Sequence, residues 1–236
     1  MVLEKANLTY YPNIVVVGDP IIDVYDDFIF PGGALNVYSN LKYFDPTATS
    51  FFPSKPFLHY DHPIKKSAYN CYQQIDNSFY AKTLVCSDYN KGFISSSSGT
   101  IYSDLLIVDS KYNSLSQTIL DLASIKILKQ TSTDVFKKNF LDSFDYIVLT
   151  DHSSKIICYE KSYKEIFSVT PPTVICQNDS GAGDVFLAVL SVFLHNNFDK
   201  QNRTVLIHAV REAAFWAAYS TTTPFTSNIR HINVHN

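Results

Sequence analysis

Asn178-Asp179-Ser180-Gly181-Ala182-Gly183-Asp184-Val185-Phe186 sets small residues and a carboxylate where an apolar run, Val185 to Leu194, begins. Glycine lets the backbone turn sharply and approach a ligand. The first turn of a helix offers unpaired N–H groups and the positive end of its dipole to an anion. The stretch therefore reads as an anion cradle that carries a base. The first-turn amides would stabilise charge on a phosphoryl group, while the aspartate accepts the proton of a hydroxyl substrate lying beside it. The plainer reading is a capped helix start with an acidic residue in its first turn. The rest of the chain decides between the two.

With 236 residues the chain is long enough to bury a sizeable core, and a single α/β domain spanning residues 1–236 is expected. Sixteen Tyr and seventeen Phe in a chain that is 46% apolar exclude a disordered or fibrous protein. A formal charge of −3 without a long basic run argues against a dedicated nucleic-acid binder and favours small ligands. There is no apolar stretch of about eighteen residues. The start, Met1-Val2-Leu3-Glu4-Lys5, also lacks the layout of a secretory signal, so a cytoplasmic protein without membrane contact is expected. Cys71, Cys86, Cys158 and Cys176 are too widely spread for a zinc site and read as reduced core residues. The histidines around His59 and His62, and His231 and His235, read as loop and tail residues, so no transition metal is assigned.

Short apolar runs recur at Ile14 to Val17, Thr83 to Cys86, Leu105 to Val108, Ile125 to Leu128, Tyr146 to Leu149 and Ile156 to Tyr159. Runs that are apolar on both faces and separated by crossover segments predict a doubly wound, mainly parallel sheet with helices on both faces. Ligands of such sheets sit at the carboxyl ends of the strands. Gly18 and Asp19, Asp88, Asp109, and Thr150 with Asp151 all fall at such ends. Helices are expected at Ala34 to Tyr43, Val185 to His195 and Thr204 to Ala218, and a further strand-like piece at Thr173 to Cys176 after Pro171-Pro172.

Four segments in order resemble the PfkB, or ribokinase-like, carbohydrate kinases, with the nearest look to the kinase half of the bacterial heptose-7-phosphate kinase/ADP-heptose synthase. Val16-Val17-Gly18-Asp19-Pro20-Ile21-Ile22-Asp23-Val24-Tyr25 is similar to that family's opening strand and turn. Pro31-Gly32-Gly33-Ala34-Leu35-Asn36-Val37 is similar to its glycine-pair motif, and Ser87-Asp88-Tyr89-Asn90-Lys91-Gly92 to its D-Y-x-K-G segment. Asp179 to Asp184 resembles its D-T-x-G-A-G-D signature. The resemblance covers most of the chain and implies a ribokinase-like α/β fold using ATP and Mg2+.

Carried over position by position, the resemblance makes Asp184 the base and the amides of Gly181, Ala182 and Gly183 the anion hole. It gives the sugar side to Asp19, Asp23, Gly32, Gly33, Asn36, Asp88 and Lys91. Lys111, in Asp109-Ser110-Lys111, with Thr150 and Ser180, would face the nucleotide. Asp134 would touch Mg2+ through the outer shell. Turn capping is the alternative use of Asp19 and Asp23, a tight turn that of Gly32-Gly33, and an exposed structural lysine that of Lys91 and Lys111.

The chain also departs from the pattern. Lys129-Gln130-Thr131-Ser132-Thr133-Asp134 stands where the family shows T-P-N-x-x-E, and Thr150-Asp151-His152-Ser153-Ser154-Lys155 lacks the glycines of T-x-G-x-x-G. Little chain separates Asp23 from Pro31, or Phe52 from Asp88, so the lid is expected to be reduced or absent, with a remnant around residues 51–80. Aromatic residues from Tyr69 to Tyr80 would cover that region, form a homodimer contact, or pack in the core. The leading expectation is ATP-dependent phosphorylation of a sugar or sugar phosphate hydroxyl, heptose phosphate first. The alternative is a catalytically weak relative that binds a sugar or nucleotide, or serves as an interaction protein.

Overall fold

The computed structural model describes residues 8–25, 28–52, 57–60, 78–89, 99–110, 117–130, 141–150, 154–161, 164–197 and 203–232. In chain order the elements are β1 (Thr9–Gly18), β2 (Pro20–Tyr25), β3 (Phe28–Gly32), α1 (Gly33–Phe44), β4 (Thr49–Phe51), β5 (Phe57–Tyr60), β6 (Phe79–Asp88) and β7 (Ile101–Ser110). There follow α2 (Gln117–Asp121), β8 (Ala123–Gln130), β9 (Tyr146–Leu149), β10 (Ile156–Glu160), β11 (Lys164–Val169), α3 (Ala182–His195) and α4 (Arg203–Ser220).

Each of the six apolar runs lies in a strand of one sheet, ordered β11-β10-β9-β8-β7-β6-β1-β4. Pairing from β4 across to β9 is parallel. Strand β10 runs antiparallel to both neighbours, so Ile156 to Tyr159 enters the sheet against the expected direction. The cause is the connection: residues 150–155 are too few for the dozen or so that a crossover between parallel strands requires.

Alternation along the strands divides the core between two faces. Ile14, Val16, Val85, Ile107, Ile127 and Val148 face one way and meet α3, with its buried run from Val185 to Leu190, and α4. Val15, Val17, Leu84, Leu106, Leu128 and Ile147 face the other way, against Ile119 and Leu120 of α2 and against Leu141 and Phe144. Helix α3 is buried nearly all round because it lies between the sheet and helices α1 and α4. Burying each of its large side chains is worth about 2 kcal/mol before entropy is charged against it.

Beyond Gly18 the chain leaves this sheet to build a smaller one, ordered β3-β2-β5. It is a β2–β3 hairpin with β5 added in parallel, and it stands where a reduced lid was expected. Strand β5 lies inside the segment read as a lid remnant. The rest of that segment from 61 to 77, including Tyr69 and Cys71, lies outside the described residues. At its end Phe79 is core, 1% exposed, and the Tyr80 ring packs tilted against Tyr10 at 5.3 Å.

Two local expectations need correcting. Thr173 to Cys176 forms no strand, and Ile175 is 86% exposed. Pro171 and Pro172 lack the N–H groups a ladder needs, and the segment instead runs along the wall of a cavity. Cys86 and Cys158 are buried as expected, but Cys176 is exposed with that segment.

Candidate active site

At Gly18 the end of β1 lies against the backbone at the end of β6. A Cβ at Gly18 would lie 2.1 Å from the Ser87 carbonyl oxygen, and the Asp19 N–H donates to that same oxygen at 3.1 Å. Asp19 is fully buried and its carboxylate accepts from the Tyr89 N–H at 2.8 Å. The carboxylate therefore fixes the start of the segment after β6, and with it the position of the Tyr89 ring.

Helix α3 begins at Gly181, whose φ of 81° is left-handed and suits glycine. The Asp184 and Val185 N–H groups donate to the Gly181 carbonyl, and the Ala182 N–H donates to Asp179. Of the three amides assigned to an anion hole, the turn thus occupies that of Ala182. Those of Gly181 and Gly183 remain the candidates for that role.

Asp184, in the first turn of α3, is 3% exposed. The Asn36 amide donates to one of its oxygens at 3.1 Å and the Tyr89 hydroxyl to the other at 3.0 Å. Burial pushes this carboxyl up from 3.8 to about 7, and the charge of Asp109 adds to the rise. The bonds from Asn36 and Tyr89 and the charge of Lys129 work against it. Burial, reinforced by the Asp184 charge, raises the Tyr89 hydroxyl well above its ordinary range, so Tyr89 stays protonated as a donor.

Around Asn36 a ladder of buried amides ties α1 to the segment after α4. Asn36 also donates to the Ser227 carbonyl, and Asn228 and Asn40 both donate to the Asn36 side-chain oxygen, each at 3.0 Å. Asn40 in turn accepts from the Ile229 N–H. On the lid side, Asp23 lies against Gly32, where a Cβ would fall 2.6 Å from its carboxylate, and it accepts from Thr226 at 3.5 Å. The isolated bridge between Pro20 and Gly33, with the Ala34 N–H donating to the Asp19 carbonyl, anchors the glycine pair at the root of the lid.

On the opposite side of the α3 start lies a cavity of about 560 Å³, bounded by Lys129, Thr150, Ile156, Pro172, Gly183 and Ala214 among others. Its size falls within the range of small-molecule sites. Lys129, 3% exposed at the end of β8, pairs with Asp109 at 2.7 Å.

Asp23, Gly32, Asn36 and Asp184 are therefore brought together. Thr150 stands on the cavity wall, and the Ser180 carbonyl is engaged by the Ser227 N–H. Asp88 is buried and accepts from Ser110 at 2.9 Å, a bond that ties β6 to β7. Lys91, Lys111 and Asp134 lie outside the described residues. Sequence reasoning gave no role to Tyr89, Lys129 or the segment Thr226 to Asn228. Asn36 and Asn40, one helical turn apart, were the only local sign that α1 needs a polar partner.

Among the described residues no group of three His, Cys, Asp or Glu side chains is arranged to hold a metal ion, and Asp109 is engaged by Lys129. The described residues thus do not fit a protein-built Mg2+ cage. No described helix is long and apolar enough to cross a membrane.

A mostly parallel eight-stranded sheet, a small second sheet leaving it at Pro20, and a G-A-G-D turn opening a buried helix define the ribokinase-like α/β fold. No protein-family model and no curated protein sequence matches the chain. Solved structures do match in shape. A fructokinase double mutant from Vibrio cholerae, with fructose, ADP and potassium bound, is 16% identical with a TM-score of 0.54 over 94% of this chain and 95% of that one. The aminoimidazole riboside kinase of Salmonella enterica, bound to its riboside and an ATP analogue, is 14% identical (TM-score 0.56; 94% and 96% covered). The nucleoside kinase of Methanocaldococcus jannaschii, an archaeal member of the ribokinase family, is 12% identical (TM-score 0.59; 95% of each chain). The likeness is one of fold.

Proposed function

We propose that this chain is an ATP-dependent kinase acting on an alcohol group of a sugar or sugar phosphate, with Asp184 as general base. The observation that carries the reading is the Asp184 carboxylate, buried between two donors at the start of α3, where burial pushes it up towards 7. A carboxylate raised by burial accepts a proton more readily than an ordinary one, and it can take the hydroxyl proton as the oxygen attacks. Asn36 and Tyr89 fill one lone-pair site on each oxygen, which leaves acceptor capacity for the substrate.

In the step itself the acceptor oxygen bonds to the terminal phosphorus of ATP. The bond from that phosphorus to the departing ADP oxygen breaks, and the hydroxyl proton passes to Asp184. Charge on the transferring group meets the N–H groups of Gly181 and Gly183 and the positive end of α3. Asp23, Gly32, Gly33 and Asn36 offer the lid-side surface for vicinal hydroxyls, with Asp19 and Asp88 shaping it from behind. The cavity lined by Thr150 takes the nucleotide. Mg2+ would be held mainly by the phosphates and water rather than by a protein cage, with Asp134 as outer-shell candidate, and would supply charge neutralisation. Heptose 7-phosphate is the first acceptor to try, on the resemblance of the sugar-side motifs. The ligands of the fructokinase and riboside kinase above support the class.

The test measures ADP formation from ATP and Mg2+ against a panel of sugars, sugar phosphates and nucleosides. Asp184→Asn should keep nucleotide affinity and lose turnover by at least about a hundredfold. Equal turnover in this variant would sink the mechanism. Nucleotide binding with transfer to none of the acceptors would instead leave the binding-only reading.

A further inference from the structure

Lys129 is a buried lysine in a place where burial needs a reason. A charged ammonium is seldom fully enclosed unless its donors are used. It carries three N–H donors, and among the described residues Asp109 takes one, at 2.7 Å. Its Nζ reaches the opening turn of α3, lying 3.0 Å from where a Cβ would stand at Gly183. Glycine at 183 is thus what lets the ammonium come up beneath the turn. Both residues line the 560 Å³ cavity, whose wall also includes the apolar Ile156, Phe186 and Ala214.

We propose that Lys129 is a phosphate-binding residue, holding the terminal phosphates of a nucleoside triphosphate jointly with the amides at the start of α3. This rests on the kinase reading of the same site. The amides supply fixed dipoles and Lys129 supplies a full charge, while Asp109 holds the ammonium at the cavity wall. The apolar end of the same cavity suits a base. A phosphate oxygen beside the Gly183 N–H then takes a second donor from Lys129, and the charge-assisted bond is stronger than an amide bond alone.

The proposal predicts a loss that depends on phosphate. In calorimetric titrations Lys129→Met should weaken ATP binding by about ten- to a hundredfold, ADP less, and leave adenosine unchanged. Because removing the ammonium strands Asp109, the double variant Lys129→Met/Asp109→Asn keeps the pocket neutral and should show the same pattern with near-native melting. Equal losses for ATP and adenosine, or no loss for ATP, would overturn the assignment while wild-type binding leaves the kinase reading standing. Failure of the wild-type protein to bind ATP, ADP or adenosine would overturn both.

Discussion

Asp184 is held between a low-dielectric surrounding that disfavours its charge and two donors that favour it, and the balance leaves it near 7. Tyr89→Phe removes one donor, so the pKa should rise further. The acidic limb of the kcat/KM profile should then move up by about one pH unit. An unmoved limb would separate Tyr89 from the base. The same balance bears on stability. Folded Asp184 holds its proton to about 7 whereas the ordinary value is 3.8, so its contribution to stability is lost as pH rises from about 4 towards 7. Asp184→Asn should therefore melt higher than the parent at pH 8 and similarly at pH 4. This helix start was legible in sequence because its requirements are local: glycines for the turn, then a carboxylate. Lys129 was not legible, since its partners Asp109 and Gly183 are remote in sequence and a lone lysine at a strand end reads as surface.

Helix α1 shows how a single element serves both fold and site. Its Asn40 donates to the Asn36 carbonyl at 2.8 Å and accepts from Ile229, so both ends of one buried amide are used. Asn40→Ala strands those partners, and chemical denaturation should show a loss of about 1–3 kcal/mol. A loss well below that range would mean the amide ladder does little to hold α1. Elements with continuous apolar runs were readable from sequence, since buried strands need them. Strands β2 and β3 were not, because proline at 20 and 31 and alternation over so few residues resemble turns. The antiparallel sense of β10 was set by a connection length, which an inventory of strands does not weigh.

Across the whole molecule, the lid and the segment after α4 are joined by Phe30 stacking on Phe225 at 5.1 Å and by Thr226 reaching Asp23. Phe225→Ala should loosen that link. We expect KM for the acceptor to rise several-fold while ATP affinity stays within twofold, and equal effects on both would argue against a lid role. The overall class was legible because four motifs fall in order along the chain. The smaller sheet was not legible, since its pairing adds β5 from a separate segment to the β2–β3 hairpin.

The partners of Asn36 lie far along the chain: Asp184 is 148 residues away and Ser227 is 191. During synthesis the ribosome therefore releases the sheet, the lid hairpin and α1 long before the residues that complete the centre. Until Thr226 to Asn228 clear the exit tunnel, a nascent chain has its glycine pair and its lid without the groups that orient them. A product truncated before Thr226 should therefore melt earlier than the parent even where most of its sheet has formed, because the partners of Asn36 would be missing.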